Sequence, residues 1–292
     1  MPRVNRVVEL LEQDQPVYYT GPSGRGYGGG RADASTWADY IAYDMEHGAF
    51  DVTELREYMR GLVEGGPTRS GHRTPTVIVS LPIDGATEEV VRANSWVIKQ
   101  VLASGVHGLL LCHAETPGAA KAFVEYSRYP FNTLGIGRGL DDGRRGGGGQ
   151  AHAAEVWGIP TRQYLDVADS WPLNPKGELF LGLKIENKRA LSNVEATLKV
   201  PGLAFAEWGP GDMGMSLGFP DNHDEPFPPA MADARSRVLA ACKANGLFFL
   251  NTVRPDDVVE RIAEGVRIGA SGRGGREAAE IGRKHSRRQM PW

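Results

Sequence analysis

Cysteine is nearly absent from this sequence: Cys112 and Cys242 are the only two among 292 residues, far apart and outside any CxxC pair. That excludes a disulfide framework and a zinc knuckle, and it suits a reducing, cytoplasmic setting. No apolar run approaches the roughly 18 residues needed to span a bilayer. The N-terminal stretch MPRVNRVVELLEQDQ mixes apolar and charged residues as an amphipathic helix does, without the continuous apolar core of a signal peptide, so no membrane anchor is expected. A basic excess is also missing. The formal charge of −3 gives no electrostatic footprint for nucleic acid, and the locally basic stretch 273–288 reads as a solvated helix face or tail. The glycine-rich stretch 21–30 lacks the GxxxxGK[ST] pattern of a phosphate loop and is expected to be a mobile loop near the active site.

What is present is the composition of a globular protein with a sizeable core, 41% hydrophobic and 24% charged. Short β-like runs at 17–20, 40–45, 76–81, 108–112, 179–185, 203–207, 246–250 and 266–270 alternate with helical periodicity at 53–63, 88–103, 117–126, 190–198, 230–244 and 255–263. Asp51 and Thr116 are N-cap residues, and Pro117 suits a first helical turn. Eight strands alternating with helices predict an α/β fold, a TIM (β/α)8 barrel, as one domain over 1–292; a doubly wound open sheet has the same local pattern. Segment 131–177 stands outside the repeat as a long glycine-rich insertion, a lid or a plain surface loop. The chain then ends in a basic helix or tail at about 271–292.

Two apolar strands end in carboxylates: LFLGLKIE closes on Glu186, and LAFAEWGPGD reaches Asp212 about 25 residues later. All strand C-termini of a parallel barrel open on one face, so the two carboxylates can meet there and suit a hard cation. Taken singly, Glu186 reads as a helix cap and Asp212 as a turn residue. Backbone amides beside Gly211 can approach a substrate carboxylate. A third strand ends in DMEHGAFD, which brings His47 and Glu46 to the same mouth, where an imidazole titrating near neutral pH suits proton transfer.

These segments, together with GVHGLLLCHAETPGAAKAFVEYSRYP and GVRIGASG, resemble the HpcH/HpaI aldolase family, in the wider group that includes citrate lyase β-like enzymes. The resemblance implies a barrel of the phosphoenolpyruvate/pyruvate type and class II aldolase chemistry. It makes Glu186 and Asp212 ligands of a divalent cation (Mg2+, Mn2+ or Co2+), His47 the general acid/base and Glu46 an adjacent carboxylate. The amides of Gly211 and Asp212 become the holder of the substrate carboxylate. The implied partners are a small keto acid and an aldehyde, and the implied assembly is a homo-oligomer, a hexamer of paired barrels.

Departures from the family pattern are equally specific. Ser80 or its neighbour stands where an Arg usually reaches the keto or enolate oxygen, Lys184 stands where Gln is common, and no Asp lies near 103–105 to partner the catalytic His. Lys184 shares a strand face with Glu186 and is expected to supply the missing positive charge, with a Schiff-base role as the alternative. Trp208, Arg138 and His113 are further candidates for substrate contact. Trp37, Trp157, Trp171 and Trp208 are expected near the mouth, which would admit a bulky substrate. A CoA-ester lyase of the citryl/malyl-CoA type and a catalytically altered pseudoenzyme are the competing readings.

Overall fold

The computed structural model describes residues 2–221, 224–271 and 274–292. Gly272 and Arg273, near the start of the predicted basic tail, lie outside the described residues. Strands β1 (Val17–Thr20), β2 (Tyr40–Asp44), β3 (Thr76–Asp84) and β4 (Gly108–Cys112) pair in sequence, all parallel. After β5 (Ser170–Trp171), a two-residue strand on the flank, come β6 (Leu179–Ile185), β7 (Phe205–Trp208), β8 (Phe248–Val253) and β9 (Val266–Ser271). β4 pairs with β6 and β9 with β1, which closes an eight-stranded parallel barrel.

All eight expected strands are present, with shifted edges. β7 and β8 begin two residues later than expected. At β8 the reason is Gly246, whose φ of +67° caps the preceding helix Pro229–Asn245 instead of entering the strand. The expected helices at 88–103 and 190–198 each break in two, at Asn94 and Asn193. Both asparagines carry near-zero ψ and turn their side-chain amides onto backbone carbonyls, of Val90 and Glu115 respectively, which favours leaving the helical ladder.

The glycine stretch departs from expectation more sharply. Gly26–Asp33 is a helix packed flat against the helix Val52–Glu64. A Cβ at Gly30 would lie 2.0 Å from the Tyr58 carbonyl oxygen, and one at Gly61 would lie 2.2 Å from that of Tyr27. Glycine is used here to let two backbones touch, not to keep a loop mobile.

Strand parity divides the core into two layers. Tyr40, Ile78, Leu110, Phe180, Phe205 and Leu250 face the lumen. The helix Arg6–Glu12 closes the N-terminal end of the barrel with Val7, Val8, Leu10 and Leu11. A larger layer, including Val79, Leu109, Leu183 and Trp208, lies between barrel and helices.

Segment 131–177 also belongs to the N-terminal end. The helix Pro117–Ser127 carries the chain down from the mouth, and β6 starts again from the bottom. In between, Trp157 donates to the Gly105 carbonyl at 2.8 Å and stacks on His107, just before β4. Arg128 binds Asp169 bidentately, at 2.5 and 3.1 Å, and ties the segment shut. Two helices, Gln150–Trp157 and Thr161–Val167, occupy much of it, so it covers the end opposite the mouth and is no lid.

The same end holds a buried ionic knot. Asp39 receives Arg288 at 2.6 Å and Arg6 and Arg283 at 3.1 Å each, on Oδ1, while its Oδ2 accepts the Tyr18 amide at 2.9 Å. Burial alone would raise this carboxyl, yet the three guanidinium groups push it down to about 2. Its stabilising contribution is therefore full above the ordinary carboxyl range and is lost as pH falls towards 2. Asp39→Asn leaves three buried cations short of their partner and is expected to cost about 3–5 kcal/mol. Urea unfolding at neutral pH checks this as a lower midpoint, and the gap to wild type should shrink below about pH 4.

Candidate active site

Every strand of this barrel delivers its last residue to one rim. On β6, alternate residues Phe180, Gly182 and Lys184 face inward, and Glu186 follows one step past the strand. β7 is paired so that Lys184 lies opposite Glu207 and Ile185 opposite Trp208. Parity then sends Glu207 into the lumen and Trp208 away from it. Trp208 is buried in the helix layer, edge-on to Phe227 at 5.0 Å, and is not a substrate contact.

Lys184 is 12% exposed and its ammonium meets Glu46 Oε2 at 2.5 Å and Glu186 Oε2 at 3.9 Å. Burial works against the charged form, but Glu207, Glu186 and the hydrogen bond to Glu46 outweigh it and raise Lys184 above its ordinary value. That direction favours the ammonium and weighs against a Schiff-base nucleophile.

Glu186 is 1% exposed, and Gly209 is what allows it room: a Cβ there would lie 2.7 Å from Glu186 Oε2. Its Oε1 accepts the amide of His113 at 2.9 Å. His113 takes the left-handed φ of +47°, unusual for a residue with a Cβ, and so presents its ring nitrogens 3.6 Å from Glu186 and 3.6 Å from Glu46. Asp212 sits in the first turn of the helix Pro210–Leu217, where the amides of Gly211 and its neighbours have no intrahelical acceptor.

Donor atoms of His113, Glu186 and Asp212 gather within 4.8 Å of one another, as do those of Glu46, Cys112 and Glu186. Ligand atoms at about 2.0–2.6 Å from a hard cation lie at most roughly 5 Å apart, so these spacings suit one ion. Two further observations fit a cation. Glu46 Oε1 is buried with no hydrogen-bond partner among the described residues, and burial pushes Glu186 up to about 8 despite Lys184 and the His113 amide.

His47 is solvent-accessible at the end of β2, with Nδ1 3.3 Å from Asp44 Oδ2 and 3.6 Å from Glu46 Oε2. The carboxylate that orients it is thus Asp44, three residues upstream. Residues 103–105, where a partner was sought, lie at the opposite end of the barrel. Ser80 lines a pit of about 240 Å³ that opens at the mouth beside His47, Lys184 and Glu207. Arg138 is exposed within segment 131–177 at the far end, because the preceding helix has already crossed the barrel. Trp157 and Trp171 lie at that end too, so neither they nor Trp208 lines the mouth as expected.

Sequence reasoning therefore missed two residues, Asp44 and Glu207. Both signals were available: each occupies an inward position of a strand by the same parity that selected Lys184.

The architecture has close counterparts. An HpcH/HpaI aldolase/citrate lyase family protein from Burkholderia cenocepacia J2315 superposes with a TM-score of 0.71 at 24% identity, over 97% of this chain and all (100%) of that one. The HpcH/HpaI aldolase of Desulfitobacterium hafniense DCB-2 gives 0.65 at 18% identity, over 97% and 96%. In sequence, the 2-keto-3-deoxy-L-rhamnonate aldolase of Escherichia coli O17:K52:H18 is 28% identical over 240 residues, 82% of this chain and 76% of that one. The family model HpcH/HpaI aldolase/citrate lyase matches residues 70–278, most of the chain and most of the rim just described, and on that match this lyase belongs to the HpcH/HpaI aldolase/citrate lyase family.

Proposed function

We propose that this chain is a class II aldolase that cleaves a 4-hydroxy-2-oxo acid to pyruvate, or a related keto acid, and an aldehyde. The observation that carries the reading is the convergence of Glu186, Asp212 and His113 beside a charged Lys184 and an accessible His47. The name of the Escherichia coli relative supports a keto acid of this kind. Glu186 and Asp212 would hold the cation, magnesium, manganese or cobalt(II), with His113 as a third donor. When bound, that ion supplies Lewis-acid stabilisation for negative charge developing on the keto oxygen.

The protein's own groups do the remaining work. His47 takes the proton of the 4-hydroxyl as the C3–C4 bond breaks and returns a proton to C3. Asp44 holds the imidazole by Nδ1, leaving Nε2 for the substrate, and stabilises the imidazolium. Lys184 faces the developing charge from the lumen side, in place of the Arg that Ser80 has replaced. Amides at Gly211 and Asp212 receive the substrate carboxylate. Glu46 anchors Lys184 and, through its second oxygen, borders the cation site. A homo-oligomer, a hexamer by resemblance, belongs to the same proposal. Phe50 and Trp96, both exposed and edge-to-face at 5.7 Å near the mouth, are an apolar surface that a neighbouring subunit can cover.

Two outcomes test this reading. Chelation should abolish solvent-deuterium exchange into the methyl group of pyruvate, and added Mn2+ should restore it. Glu186→Gln and Asp212→Asn should each weaken Mn2+ binding at least about tenfold by calorimetry. Full exchange in chelated protein defeats the proposal.

Lys184→Met should lower kcat/KM by about 10²–10³ while Mn2+ still binds. Borohydride with pyruvate should leave the wild-type mass unchanged; a covalent adduct on Lys184 would reverse its assignment.

A further inference from the structure

The rim chemistry leaves one feature unexplained, the pit of about 240 Å³ beneath it. A parallel barrel normally fills its lumen with layers of bulky side chains. Here the lumen-facing residues Ala42 and Ser80 are small, and space opens between them and the opposite wall, where Lys184 and Glu207 stand side by side on β6 and β7. Below, Phe205 and Leu250 form an apolar floor. The volume is under the roughly 300 Å³ at which whole-ligand pockets begin, so it suits one short arm of a substrate whose reacting centre sits at the rim.

Glu207 determines what that arm can be. Its carboxylate lines the pit and makes no hydrogen bond or ion pair within 4 Å among the described residues, while Lys184, its neighbour in register, is already held by Glu46. Asp44 faces the same space, and Glu46 and Glu186 stand just outside it. Lys184 is the one fixed cation among the described residues that line the pit. A second carboxylate entering here meets uncompensated negative charge. A purely apolar arm strips water from Glu207 and returns no hydrogen bond. A neutral arm bearing hydroxyl groups satisfies both demands: it donates to Glu207 and rests its carbon atoms on Phe205 and Leu250.

We propose that this pit is the subsite for the aldehyde half of the substrate, that it takes a short neutral hydroxylated arm, and that Glu207 is its specificity-determining residue. The proposal rests on the aldolase reading above, and the experiment separates the two. Metal-loaded enzyme is assayed in the synthetic direction with pyruvate and three acceptors: glyceraldehyde, succinic semialdehyde and propionaldehyde. Each kcat/KM is divided by the same variant's rate of deuterium exchange into pyruvate, which reports the rim chemistry alone.

Wild type should prefer glyceraldehyde at least tenfold over both others. Glu207→Gln keeps a hydrogen-bonding group and removes the charge, so it should retain glyceraldehyde and lower its preference over succinic semialdehyde at least tenfold. Glu207→Leu should erase the preference over propionaldehyde. Ser80→Leu, which fills the pit from the other wall, should raise KM for glyceraldehyde more than for formaldehyde, which has no arm. Normal exchange with no acceptor preference, or a preference indifferent to Glu207, overturns the subsite alone. Absence of exchange in the wild type overturns the aldolase reading and the subsite with it.

Discussion

The mouth of this barrel is organised by the ion pairing of one buried lysine. Parallel strands point all their ends the same way, and three of those ends, or the turns just after them, carry Asp44, Glu46, Glu186, Glu207 and Asp212. Burial raises the proton affinity of such groups, and bringing them together without cations raises it further, as Glu186 and Glu207 both show. Lys184 answers part of that charge from inside, through Glu46 and its in-register neighbour Glu207. The part it leaves unanswered, centred on Glu186, is where a divalent ion fits. On the proposed reading, a bound ion would share these carboxylates with the ammonium, and removing either would leave the other's partners overcharged.

The opposite end of the barrel follows the reverse design. There a single carboxylate, Asp39, serves three guanidinium groups drawn from the first helix, the last helix and the C-terminal tail. The knot locks both chain ends beneath the sheet, next to the apolar plug of the helix Arg6–Glu12. Segment 131–177 adds its own buried pair, Arg128 with Asp169, on the same side. Surplus negative charge collects at the mouth, where a ligand can meet it, while at the closed end the surplus is positive and is held by one shared carboxylate.

How much of this the sequence carried depended on how local the signal was. The eight strands were visible because apolar runs of four to nine residues bounded by turns have few other uses. Glu186, Asp212 and His47 stood out because each terminates such a run. Arg138, Trp157 and Trp171 were misplaced for a different reason: which end of the barrel a loop reaches is set by the element before it, and that is a fact of topology rather than of composition. Trp208 failed on parity, one residue away from Glu207, which has the opposite orientation. The glycines at 26–30 misled because close helix contact and loop flexibility ask for the same residue, and only the facing Tyr58 and Gly61 distinguish them.

On the proposed reading of Lys184, placing the site's cation on β6 instead of β3 changes more than its identity. An Arg reaching in from β3 would span the lumen from the Ser80 side and occupy the space that the pit now holds. A Lys on β6 approaches from the metal side, two residues from Glu186, and leaves the far wall empty. On that reading the exchange does two things at once: it keeps a positive charge beside the reacting oxygen and leaves a volume whose wall carries Glu207. An isolated carboxylate in that position would be costly to bury. Beside Lys184 it is tolerable, and among the described residues no hydrogen bond or ion pair occupies it. Read this way, Ser80, Lys184 and Glu207 form one coupled departure from the family pattern, and the chemistry of the substrate's far end is where that departure is felt.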